Sequence, residues 1–171
     1  MYDPLLWVRE RREQGRILHR GTERYAVQLW ELEAKLDVED LIKRYACLGD
    51  RAKLAEMAAL FTADGVFETA GGRRAQGREG VLKLLEGTPN EDTSAGRPTA
   101  AASSAGGFVR HNMTNILVTI EGPERATASS YLFTINGGGF GASGRYRDRL
   151  MKTPEGWRFE YRSYRPDAPT G

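Results

Sequence analysis

His111, with an aspartate such as Asp50 and a tyrosine such as Tyr45, offers the side-chain types that acid–base chemistry needs. Type alone does not single these out among 23 acidic residues and seven tyrosines. A neutral imidazole has an ordinary pKa of about 6.5, so it can take up a proton near neutral pH. A carboxylate bonded to its other ring nitrogen would fix the tautomer and favour the imidazolium formed in the transition state. Positioned general-base catalysis of this kind supplies on the order of 100- to 10,000-fold in rate. The Tyr45 phenol can donate a hydrogen bond to a substrate carbonyl or a departing hydroxyl. Asn115, four residues past His111 on the same expected strand face, adds a polar contact.

Each of these residues also has a structural reading. His111 could be satisfied by a backbone carbonyl. Asp50 could cap a helix beginning near Ala52, since aspartate is among the best capping residues. Tyr45 lies on an apolar helix face, where a tyrosine is often core. His19 sits in a charged stretch and reads as solvated. Asp148 shares its expected strand face with Tyr146 and Leu150, opposite Arg145, Arg147 and Arg149. It is therefore either a second acid or base, or the partner of an arginine on a neighbouring strand. Strict alternation sets Arg162 opposite Trp157, Phe159 and Tyr161 and makes it solvent-facing, unless a bulge turns it inward. Metal binding is unsupported: two histidines lie far apart and Cys47 is the one cysteine. No Gly-Lys-Ser/Thr loop exists, and Gly137-Gly138-Gly139 has no following helix, so it is a turn or bulge.

The elements that must carry these residues follow from periodicity. Residues 1–22 read as an arm of mixed charge whose apolar residues could dock on the domain or on a second copy. From Tyr25 to Leu48, apolar residues recur at helical steps, with an interruption near Asp37 where a second helix start is expected. Gly49 is expected to end that helix in the left-handed conformation, and Cys47 to be a buried, inert thiol. A second helix carries Leu54, Met57, Ala58 and Phe61 and closes at Ala63-Asp64-Gly65. Val66–Thr69 and Arg73–Gln76 form a small hairpin about Gly71-Gly72. Gly77–Leu85 is a third helix, and residues 87–107 hold almost no large side chains and read as a mobile loop. Four strands follow: Val109–Ile120, Ala126–Asn136, Gly144–Lys152 and Trp157–Arg165. Helices first and antiparallel strands last is a segregated α+β pattern. The domain is expected over 23–166, with 167–171 as a tail.

Composition narrows the function classes. Twenty-five basic against 23 acidic side chains give a formal charge of +2, which offers no footprint for nucleic acid. The first apolar run, Leu5–Val8, is too short for a signal peptide, and nothing later approaches a membrane span. A soluble, cytoplasmic protein is the expectation. Ile116, Val118 and Ile120 are placed opposite His111 and exposed, so a homodimer or homotrimer through the sheet is expected.

Several segments carry a resemblance. They are Asp40-Leu41-Ile42-Lys43-Arg44-Tyr45-Ala46 leading to Asp50, Leu60-Phe61-Thr62-Ala63-Asp64-Gly65-Val66-Phe67, and Gly77-Arg78-Glu79-Gly80-Val81. Further on come Arg110-His111-Asn112-Met113-Thr114-Asn115, Gly144-Arg145-Tyr146-Arg147-Asp148 and Gly156-Trp157-Arg158-Phe159. In this order they resemble the SnoaL-like branch of the nuclear transport factor 2-like superfamily. That group includes polyketide cyclases, scytalone dehydratase, hexachlorocyclohexane dehydrochlorinase and bile-acid dehydratases. The resemblance implies a cone-shaped α+β barrel, with three helices packed in a strongly curved, mixed, mostly antiparallel sheet. It also implies a lyase, dehydratase or isomerase that needs no cofactor and acts on a small apolar substrate, cyclic ones included. Asp50 and His111 match the family's catalytic pair, and Tyr45 matches a polar position before that aspartate. Arg162 matches an arginine that assists the leaving chloride in the dehydrochlorinase. Substrate contacts are expected from Asn115, Arg162, Asp148, Phe67 and Phe140. Two alternatives stay open: a polyketide cyclase- or hydroxylase-like enzyme, and a non-catalytic ligand-binding or dimerisation module.

Overall fold

The computed structural model describes residues 28–87 and 108–167. The expected arm 1–22 with His19, nearly all of the expected 87–107 loop, and the tail beyond Asp167 lie outside the described residues. Among the described residues, three helices, α1 (Leu29–Gly49), α2 (Leu54–Ala59) and α3 (Gly77–Glu86), pack with six strands. The strands are β1 (Phe61–Glu68), β2 (Arg74–Gln76), β3 (Val109–Gly122), β4 (Arg125–Asn136), β5 (Gly139–Thr153) and β6 (Gly156–Pro166). Their order is β2-β1-β6-β5-β4-β3, with β1 parallel to β6 and every other neighbour antiparallel. The sheet is open: β2 and β3 form its two edges rather than closing a barrel. The α+β class and the mixed, mostly antiparallel sheet are as expected.

One unbroken helix replaces the expected restart at Asp37. Ala34, Val38, Leu41, Ile42, Tyr45 and Ala46 make a continuous buried stripe against the sheet. Leu29, Leu32 and Leu36 form a second stripe that is exposed. Merging two stripes into one pattern created the apparent interruption. Cys47 is exposed rather than buried. The second helix is also shorter than expected. Phe61 is the first residue of β1, and Ala63-Asp64-Gly65 is a wide irregularity within that strand, between the Phe61↔Phe159 and Val66↔Tyr161 pairs. A side chain at Gly65 would stand 2.7 Å from the Phe159 carbonyl oxygen, so the close approach of β1 to β6 needs glycine there. The β1–β2 hairpin turns at Gly71 and Gly72 with φ of 74° and 76°, the positive values expected of that pair. The β4–β5 turn is tighter than expected, because β5 already begins at Gly139.

Two single-residue bulges set the rest of the geometry. In β3, Thr114 pairs with Tyr131 and Leu117 with Ser129, so β3 carries one extra residue, with Asn115 at φ 49°. In β6, Phe159 pairs with Leu150 and Tyr161 with Arg149, which leaves Glu160 as the extra residue. Each bulge reverses the inside–outside alternation beyond it. Ile116, Val118 and Ile120 consequently pack on the core with the His111 face, not opposite it. Leu117 (67% exposed) and Tyr131 (52%) take the outer face instead. Arg162 turns inward and is fully buried.

The end of α1 fixes where Asp50 stands. Lys53 N–H donates to the Leu48 carbonyl at 2.9 Å and Ala52 N–H to Gly49 at 3.0 Å, the bond pair of a Schellman motif. The left-handed residue is Ala52, at φ 53°, and not Gly49. An L-residue there is held at a cost of roughly 1–2 kcal/mol relative to ordinary helical backbone. Glycine would relieve that cost and lose part of the gain to its freer unfolded chain. Ala52→Gly is accordingly expected to raise stability by up to about 1 kcal/mol, seen as a higher urea midpoint at unchanged slope.

Candidate active site

Asp50 and His111, 61 residues apart, meet where the end of α1 reaches the edge strand β3. His111 Nδ1 lies 2.7 Å from Asp50 Oδ1, and the His111 backbone N–H donates to the same oxygen at 2.8 Å. An edge strand presents N–H groups with no neighbouring strand to accept them, and Asp50 satisfies one. An ionised carboxylate can only accept, so Nδ1 carries the ring proton and a neutral imidazole keeps its lone pair on Nε2. The two side chains are 20% and 16% exposed, which shelters the pair yet leaves a route to it. Met57 and Gly49 flank the ring: a Cβ built on Gly49 would lie 3.7 Å from His111 Cε1. Asp50 does not cap α2, whose start at Lys53 has no side-chain cap.

Tyr45 stands five residues before Asp50, about 7.5 Å lower along α1. It joins a second, separate group. The Arg162 guanidinium carbon lies 4.3 Å from the Tyr45 ring centre, 3.8 Å from Tyr146 and 4.4 Å from Phe159. Arg162 Nη1 is 3.5 Å from Asp148 Oδ2, and both side chains are wholly buried. Among the described residues, neither Asp148 oxygen nor the nearby Ser130 hydroxyl has a hydrogen-bond partner. Three aromatic faces enclose the cation, and the Tyr146 hydroxyl interacts with it. Burial pushes the Asp148 carboxyl up to about 6, against the opposing pull of Arg162. Burial also raises the Tyr45 and Tyr146 hydroxyls, so both stay neutral phenols.

The other expected contacts divide by face. Phe67 is buried and packs on Tyr45 at 6.4 Å between ring centres. Asn115, at the β3 bulge, is exposed and off the His111 face. Phe140 is 71% exposed and stacks on Phe133 at the β4–β5 hairpin. The structure thus joins Asp50 to His111, and Tyr45 to Arg162, Asp148 and Phe67, while leaving Asn115 and Phe140 outside both groups. Sequence reasoning missed Tyr146 and Ser130 as members of the buried group. The alternation of Ser130 with buried Ala128 and Leu132 on β4 was the available signal. A groove of about 360 Å³ on the sheet is lined by Leu117, Thr127, Arg147, Arg149 and Tyr161, and also by Asp148 of the buried group. Among the described residues no group of three or more His, Cys, Asp or Glu side chains stands together, and no helix is long and apolar enough to cross a membrane.

The sequence profile of the SnoaL-like domain matches residues 30–163, an interval that contains every residue of both groups. The chain belongs to the SnoaL-like domain family. No curated protein sequence matches it. Among solved structures, it is similar to an NTF2-like protein with a cystatin-like fold from Novosphingobium aromaticivorans. That match has 25% identity and a TM-score of 0.63 and covers 86% of this chain and 95% of the other. A scytalone dehydratase candidate from the same organism matches at 22% identity and a TM-score of 0.63, over 81% of this chain and 87% of the other. A cystatin-like-fold protein of unknown function from Nostoc punctiforme matches at 23% identity and 0.63, over 80% and 92%. These likenesses agree with the cone-shaped α+β fold.

The buried pair yields two measurable consequences. Asp148 has its folded pKa raised from 3.8 to about 6, so its contribution to stability is fully present below 3.8 and is lost as pH rises to 6. The unfolded chain releases this proton first, and the loss is on the order of 3 kcal/mol. By urea unfolding, the stability of the parent relative to an Asp148→Leu/Arg162→Met double variant is expected to fall by about this much from pH 3.5 to 7. Breaking the pair from one side, with Asp148→Leu alone, leaves a buried unpaired guanidinium and is expected to cost about 3–5 kcal/mol. The double variant is expected to recover most of that loss in the same urea melts.

Proposed function

We propose that this chain is a cofactor-free lyase, of the dehydratase type, or an isomerase, in which His111 removes a proton from a small, largely apolar substrate. The observation that carries the reading is the 2.7 Å contact between His111 Nδ1 and Asp50 Oδ1. With Nδ1–H committed to Asp50, Nε2 is the base. It would take a proton from the carbon beside a substrate carbonyl, and the electron pair would move toward that carbonyl oxygen. Collapse of the enolate breaks the bond from the next carbon to its hydroxyl, which takes the proton back from His111 Nε2 and leaves as water, completing a dehydration. Return of the proton at a different carbon is isomerisation. Asp50 stabilises the imidazolium formed on the way. Membership of the SnoaL-like domain family supports a chemistry of this type, and the similar protein described as a scytalone dehydratase candidate agrees with it.

The buried group takes a supporting part in this reading. Tyr45, raised in pKa and packed among rings, acts as a neutral hydrogen-bond donor or as the floor beneath the dyad. Arg162 and Asp148 hold that floor. A second reading, a non-catalytic ligand-binding or dimerisation module, is favoured by the dense packing of Tyr45, Phe61, Phe67, Tyr146 and Phe159 inside the sheet.

The test follows deuterium entering the carbon beside the carbonyl in a panel of cyclic β-hydroxyketones in D₂O, by NMR, together with near-ultraviolet absorbance of any enone formed. Proton abstraction is expected with the parent chain. His111→Ala and Asp50→Asn are expected to lower the rate about 100-fold or more. Full turnover by both variants would rule out the Asp50–His111 mechanism.

A further inference from the structure

Helix α1 presents the exposed apolar stripe already described: Leu29 is 71%, Leu32 48% and Leu36 59% exposed. These residues lie at steps of three and four, on one face of the helix and away from the buried stripe. Glu33 and Asp37 are exposed beside them, and among the described residues neither has an ion-pair partner. A face that is both apolar and acidic needs an occupant that is apolar and basic. A second copy of the same stripe would set glutamate and aspartate against their own kind, which disfavours symmetric pairing of α1 with α1.

The chain itself supplies a segment with the complementary composition. Residues 1–27 carry Leu5, Leu6, Val8, Ile17 and Leu18, with six arginines (9, 11, 12, 16, 20 and 24) against Asp3, Glu10, Glu13 and Glu23. They lie immediately upstream of Gln28, the residue that precedes the first turn of α1. The stripe from Leu29 to Leu36 is about 10 Å long, within reach of Ile17 and Leu18 ten residues upstream of Gln28.

We propose that residues 1–27 of the same chain cover the Leu29–Leu32–Leu36 face of α1, with their arginines against Glu33 and Asp37. Docking of this segment braces the helix that carries Tyr45 and delivers Asp50 to His111. The covering is intramolecular.

Hydrogen-exchange mass spectrometry on the full-length chain tests this, comparing the parent with a Leu32→Glu/Leu36→Glu variant. Peptides spanning residues 5–18 are expected to exchange about tenfold or more faster in the variant, with β4 and β5 peptides unchanged as the control for folding. A Glu33→Lys/Asp37→Lys variant is expected to move the same peptides in the same direction and by less. Equal exchange of residues 5–18 in parent and variants would overturn the proposal. So would protection that appears only as protein concentration rises, alongside sedimentation as a dimer that the Leu32→Glu/Leu36→Glu variant abolishes, because a second copy would then be the occupant.

Discussion

One carboxylate oxygen joins the two halves of this molecule. Asp50 Oδ1 accepts the backbone N–H of His111 and lies 2.7 Å from its ring Nδ1, and so ties the end of the main helix to the free edge of the sheet. The backbone bond fixes the height of the strand against the helix, and the ring bond fixes the orientation of the imidazole. The Schellman turn through Ala52 is what stops the helix at the right residue. A mildly unfavourable backbone conformation is thus held beside the proposed catalytic pair, which is where such conformations tend to persist.

Below the dyad the interior is ordered by a different principle. Arg162 and Asp148 form a buried ion pair wrapped by Tyr45, Tyr146 and Phe159. Such a pair is weak evidence for stability, since desolvation offsets most of its attraction. Its effect is positional. The guanidinium plane contacts rings from α1, β5 and β6 together, and so holds the helix that delivers Asp50 to a fixed place over the sheet.

Local patterns revealed much of this in advance. Helical spacing of Val38, Leu41, Ile42 and Tyr45 marked part of the buried face of α1, and the glycine pair marked the first hairpin. The resemblance singled out Asp50 and His111 across 61 residues, and geometry has brought them into contact. What alternation could not reveal were the two bulges. One extra residue, Asn115 in one strand and Glu160 in another, leaves no mark on composition and yet reverses the direction of every side chain after it. The inward turn of Arg162, the burial of Ile116, Val118 and Ile120, and the outward turn of Asn115 all follow from those two insertions. The merged stripes of α1 misled for a related reason. Periodicity reports that a face is apolar, and it does not report which element lies against it.

The central claim is that Asp50 holds His111 with Nδ1 protonated and Nε2 available as a base. Long-range ¹H–¹⁵N NMR of the imidazole rings tests it directly, because His19 and His111 are the only two histidines and a His19→Gln variant assigns the spectrum. The account predicts that the neutral His111 ring shows a protonated Nδ1 and an unprotonated Nε2, and that Asp50→Asn loses this preference. A neutral ring with its proton on Nε2 in the parent chain would contradict it.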